Sequence, residues 1–186
     1  MIYRTIMEDL MKRLFFEETL KRWHFEEIVK RLKISREITN YFLKKLLKEK
    51  IITRIKSKGK MPYYVANRES SNFRLEKRLY GLELLKNSGL FEQLSSIDEI
   101  KTAIVFGSFA RGDWSKSSDV DLFIYGKDEH FEKGKFENKL IREIQLFSYF
   151  DAKKMKKELD PKLIPNIIKG FNIKGSLEPF EVVINV

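Results

Sequence analysis

A chain of 186 residues, 42% apolar and 13% aromatic, has enough hydrophobic side chain for one large or two small cores. With no cysteine and only His24 and His130, well separated, it excludes disulfides and thiolate metal sites and argues against imidazole ones. The formal net charge is +10: of 37 Lys and Arg and 27 Asp and Glu, residues 1–66 hold 17 and 8, leaving 20 and 19 for the rest.

Nearly all the excess positive charge therefore lies in the first third, which points to a polyanionic partner for that part. No apolar run reaches the length of a membrane span. The N-terminus is charged where a signal segment would be apolar, so we expect a cytoplasmic chain without a membrane partner.

Taken in order, Ile6, Leu10, Met11, Leu14 and Phe15 repeat at helical spacing over residues 3–20, and a second helix is expected from about Phe25 to Leu32. Ser35 offers an N-cap to a third helix with Ile38, Phe42, Leu46 and Leu47 on its buried face. Ile51 to Ile55 and Pro62 to Ala66 read as strands around a polar turn at Gly59.

Three helices followed by a basic hairpin is the order of a winged helix-turn-helix, in which the third helix enters the major groove of DNA. Its solvent face would present Arg36, Thr39, Asn40, Lys44 and Lys45, and the hairpin Arg54, Lys56, Lys58 and Lys60. We take Arg36, Asn40, Lys44, Lys45, Lys56 and Lys58 as candidate DNA contacts. Phe15, Phe16 and Trp23 are expected in the core, with a homodimer seam as the alternative.

Ser70 or Ser71 caps a connecting helix to about Lys86, and Asn87-Ser88-Gly89 stops it. Leu90 to Leu94 leads into an apolar run, Ala103 to Phe106, which meets Gly107 and Ser108. After a polar connection, Asp119-Val120-Asp121 opens a second apolar run ending at Ile124. If both runs are strands, Asp119 and Asp121 share a face, about 7 Å apart, while Val120 and Leu122 point to the core on the other. We expect the acids on the open face. Carboxylates so close repel unless a cation intervenes, and oxygen ligands suit Mg²⁺. Glycine at the strand end admits close approach of a phosphate, and the serine supplies donors for it.

Beyond the motif we expect a polar loop over 126–134 with Lys133 and Lys135 near bound phosphates, a segment over 136–142 that fits either helix or turn, and a strand from Arg142 to Tyr149. Asp151 caps a basic helix, Pro161 begins another that Gly170 closes, and strands over Phe171–Lys174 and Phe180–Asn185 end the chain.

Gly107, Ser108, Asp119 and Asp121 resemble the signature of the nucleotidyltransferase superfamily that includes DNA polymerase beta. The fuller string, Phe106 to Asp113 followed by Ser118 to Leu122, is similar to its small prokaryotic, minimal members. With a helix-turn-helix in front, the chain resembles an archaeal group of nucleotidyltransferases.

The resemblance implies an α+β chain: a winged helix-turn-helix over 1–67, connecting helices over 68–100 and a mixed sheet flanked by helices over 101–186. It implies transfer of NMP from an NTP, with ATP first among the candidates, to a hydroxyl on a protein, small molecule or nucleic acid, a partner protein being slightly favoured. Asp119 and Asp121 would hold Mg²⁺, and Gly107, Ser108, Arg111 and Ser118 the nucleotide. A third acid on a later strand would serve as base. The family pattern sets Gln145 in that position, and Glu143, two residues away on the same face, is the catalytic candidate in its place. A DNA-binding regulator with a weakly catalytic or nucleotide-sensing domain is the alternative.

Overall fold

The computed structural model describes residues 2–180. The expected strand over Phe180–Asn185 lies mostly outside them, and Glu178–Phe180 forms a single 3₁₀ turn. The chain divides into two compact units, Met1–Lys77 and Arg78–Val186.

In the first unit, α1 (Ile2–Glu17) is followed by β1 (Trp23–His24), α2 (Phe25–Leu32), α3 (Arg36–Lys48), β2 (Ile52–Ile55) and β3 (Tyr63–Ala66). The strands form an antiparallel sheet in the order β1-β3-β2. The two-residue β1 has no periodicity to betray it and arises from pairing with β3. Ser35 caps α3 as its sequence position demands, its hydroxyl accepting the Ile38 N–H at 3.3 Å. Phe15, Phe16 and Trp23 are buried in this unit's core with Met11, Ile28, Leu43 and Leu46, so their rings present no seam to a second copy.

A helix spanning the division, α4 (Ser71–Asn87), is followed by α5 (Leu90–Ser96), β4 (Ile100–Phe106), α6 (Gly107–Arg111), β5 (Val120–Gly126), α7 (Lys133–Leu140), β6 (Ile144–Tyr149), α8 (Ala152–Glu158), α9 (Ile164–Ile168) and β7 (Phe171–Lys174). The ambiguous 136–142 segment is thus largely helix. The second sheet is mixed, in the order β6-β5-β4-β7, with β5 and β6 parallel and the other pairs antiparallel. As parallel strands require, a crossover containing α7 joins β5 to β6.

Leu122, Phe123 and Ile124 are all fully buried, so β5 is covered on both faces and behaves as a central strand. One face packs Ile104, Phe106 and Phe123 against Met155, Leu159 and Ile167 of α8, the residue after it and α9. Phe106 is the register partner of Asp121. The expectation of an open acidic face is therefore corrected: Asp121 shares its face with Phe106 and Phe123 and stands at the end of an aromatic core. Among the described residues no helix is long and apolar enough to cross a membrane.

Phe123 stacks obliquely on Phe180 and Tyr149, with ring centroids 5.0 Å and 6.3 Å away. Phe123→Ala is expected to destabilise the protein by about 3–5 kcal/mol, measured as a lower urea midpoint.

Candidate functional site

The site begins where β4 ends. Gly107 has a φ of +65° and lies directly beneath the Asp121 side chain; a Cβ on Gly107 would overlap that carboxylate, with Asp121 Cγ only 2.7 Å away. Glycine is required here both for backbone conformation and for space. The Ser108 N–H donates to the Asp121 carboxylate, fixing it against the start of α6.

Burial raises the Asp121 pKa above its ordinary 3.8, and the neighbouring charge of Asp119 raises it further, while the Ser108 N–H and the Arg111 guanidinium act in the opposite sense. Arg111 is not dedicated to this acid. Its Nε donates to Asp113 at 3.1 Å, an exposed pair. The result is a half-buried carboxylate beside a second, exposed one, with their repulsion only partly offset.

In β6, Gln145 is in register with Asp121 and therefore shares its face. Just before β6, the Glu143 carbonyl accepts the Val120 N–H at 2.9 Å, and the Glu143 side chain is exposed. Among the described residues no three His, Cys, Asp or Glu side chains converge as a metal-holding group. What does converge is a pair of acids with an amide beside them.

The loop before Asp119 is held from within and from afar. Ser118 accepts the Ser115 N–H on its hydroxyl at 2.8 Å, so this side chain shapes the loop. Arg142 Nη1 donates to the carbonyls of Ser115, Lys116 and Ser118 at 2.7, 2.9 and 2.8 Å. Sequence reasoning left Arg142 at a strand edge without a role. The signal available was a serine-rich loop whose carbonyls need donors. Trp114 is fully buried, stacked on Phe109 at 5.3 Å and Tyr80 at 6.2 Å and pressed against Gly81, so it is a packing element and cannot stack on a base.

In the first unit, Arg36, Asn40 and Lys44 of α3 and Lys56 and Lys58 between β2 and β3 are exposed. Two expectations change. Thr39 is completely buried and donates its hydroxyl to the Ser35 carbonyl, so it leaves the solvent face. Lys45 is half-buried and held by Glu8 of α1, which also pairs with Lys12. Arg36 pairs with Glu26 at 2.6 Å, but both side chains are largely exposed.

A family model described as the nucleotidyltransferase domain matches residues 88–181, a little over half of the chain. The chain belongs to the nucleotidyltransferase domain family. Comparison with curated proteins yields no match. The matched nucleotidyltransferase region contains β4 through β7, and with them the Gly107–Asp121 contact and the loop that precedes Asp119. General nucleotidyl transfer from a nucleoside triphosphate follows from membership in this family.

Two substitutions probe this nucleotidyltransferase site. Because the folded protein retains the Asp121 proton where the unfolded chain has lost it, stability falls as pH rises from 3.8 through the raised value. Asp121→Asn is expected to raise the melting temperature at pH 7, by up to about 4 °C for each 1 kcal/mol relieved, and to change it little below pH 3.8. Gly107→Ala should cost at least about 1–2 kcal/mol from the left-handed backbone alone, read as a lower urea midpoint.

Proposed function

We propose that the nucleotidyltransferase domain transfers NMP from an NTP, ATP by preference, to a hydroxyl acceptor, with Mg²⁺ held by Asp119 and Asp121. The observation that carries this reading is the raised, half-buried Asp121 carboxylate beside Asp119, a local excess of negative charge built on a glycine that admits nothing larger. Two carboxylates and the neighbouring Gln145 amide form an all-oxygen donor set of the kind hard divalent cations take. When bound, such a cation supplies charge neutralisation at the triphosphate and polarises the phosphorus under attack.

The chain's own groups do the rest. The Ser108 N–H orients Asp121, while Gly107 and the Ser108 hydroxyl border the space for the β- and γ-phosphates. Arg111 can exchange Asp113 for phosphate at small cost, since an exposed ion pair is worth about 0–1 kcal/mol. Ser118 serves the nucleotide side by closing the loop ahead of Asp119. Glu143, just before β6, takes the proton of the acceptor hydroxyl as its oxygen bonds to the α-phosphorus and pyrophosphate leaves, and a protein side chain is the preferred acceptor.

The first unit is proposed as a winged helix that binds DNA through Arg36, Asn40, Lys44, Lys56 and Lys58. Its three helices, its hairpin and the exposure of these side chains support that reading. Lys45 contributes charge near the surface, although Glu8 already engages it. A second reading, a DNA-binding regulator whose nucleotidyltransferase domain turns over slowly or senses nucleotide, is favoured by one observation: Gln145, which accepts no proton at neutral pH, is the residue beside Asp121.

Incubation with α-³²P-labelled NTP and Mg²⁺ in extract of its own cells distinguishes the two. The enzyme reading expects label on an acceptor and a loss of at least about 100-fold with Asp121→Asn; absence of label with wild type leaves the regulator. For the DNA reading, Lys44→Ala and Lys56→Ala should each weaken binding across all sequences and reduce the slope of log K against log salt by about 1 in gel shifts.

A further inference from the structure

We propose that Arg142 is a positioning residue, a clamp that fixes the loop presenting Asp119 beside Asp121. This rests on the cation reading above for its purpose, but its geometry stands independently. One guanidinium nitrogen, Nη1, donates to three backbone carbonyls, those of Ser115, Lys116 and Ser118, all within 2.9 Å. Ser118 immediately precedes Asp119, so the clamp acts one peptide away from the acid.

The start of the loop is anchored by Trp114, buried against Phe109 and Tyr80, and beyond it hydrogen bonds within the loop set its local shape. Ser115 donates its N–H to the Ser118 hydroxyl, the Ser118 N–H donates to the Ser115 carbonyl, and the Ser115 hydroxyl lies 3.2 Å from that of Ser117 and 3.3 Å from that of Ser118. Arg142 ties the stretch between Trp114 and Asp119 to the start of β6. Arg142 is itself fixed on several sides. Its guanidinium lies over the rings of Phe109 and Trp114 at 5.3 Å and 5.5 Å, and its backbone N–H donates to the Glu137 carbonyl. Glu137 also receives the Ile144 N–H on its carboxylate at 2.9 Å, anchoring the start of β6. Lysine keeps the charge but lacks the planar fork and the stacking face that this arrangement uses.

The test uses the full chain with Arg142→Lys and Arg142→Gln. Hydrogen exchange without metal reads the loop, and Mn²⁺ titration by electron paramagnetic resonance reads the acid pair. Amides of residues 115–119 should exchange at least about tenfold faster in both variants, with β4 and β5 amides unchanged, because the lost bonds involve a charged donor. Mn²⁺ affinity should fall about 10- to 100-fold, the usual effect of removing a group that supports a metal ligand. Unchanged loop exchange overturns the clamp. Faster exchange with undiminished Mn²⁺ affinity overturns its link to Asp119. If wild type itself binds no Mn²⁺, the cation reading fails, and the exchange measurement alone decides whether Arg142 fixes the loop.

Discussion

The contact between Gly107 and Asp121 is the constraint on which the rest of the second unit's arrangement depends. A carboxylate pressed onto a left-handed glycine cannot move toward β4, and the Ser108 N–H draws it in the same direction. It therefore stays where burial and Asp119 disfavour its charge. The protein keeps this local cost because the surrounding sheet over-determines the position: Phe106 and Phe123, which flank Asp121 on the same face, are anchored in the aromatic core under α8 and α9. Strain at the rim and packing in the interior are thus two ends of one face.

The two units use charge differently. In the first, α1 and α3 are joined by Glu8, whose carboxyl is held below its ordinary range by Lys45 and Lys12 even though burial acts against it. That pairing withdraws Lys45 from the exposed basic set and makes it a structural cation. The remaining basic side chains of α3 and the β2–β3 hairpin stay in solvent, where ions of any partner can reach them. In the second unit, by contrast, like charges are forced together.

Much of this was legible in the residues themselves. The Gly-Ser turn, the spaced acids and the apolar runs on either side located β4, α6 and β5, and Ser35 and Asp151 cap helices where their side chains predict. Three features were not. β1 exists only through pairing with a strand some 40 residues away, which no local pattern encodes. Thr39 reads as a surface position by residue type but turns inward because its hydroxyl finds the Ser35 carbonyl. Arg142 makes its bonds across 24 to 27 residues, so its role emerges only from the fold. The assumption of an open acidic face failed for a related reason: two helices that follow in sequence return to cover its interior, leaving Asp121 half-buried at the rim.

Parallel pairing of β5 with β6 carries a consequence for how this chemistry can vary. The slot beside Asp121 is defined by backbone alone, through a register that runs unbroken from Val120–Ile144 to Tyr125–Tyr149. Its occupant, Gln145, is exposed, so this side chain sets the formal charge at the rim. An acid in this slot would add a third negative charge beside Asp119 and Asp121, whereas the glutamine offers an oxygen donor without that repulsion.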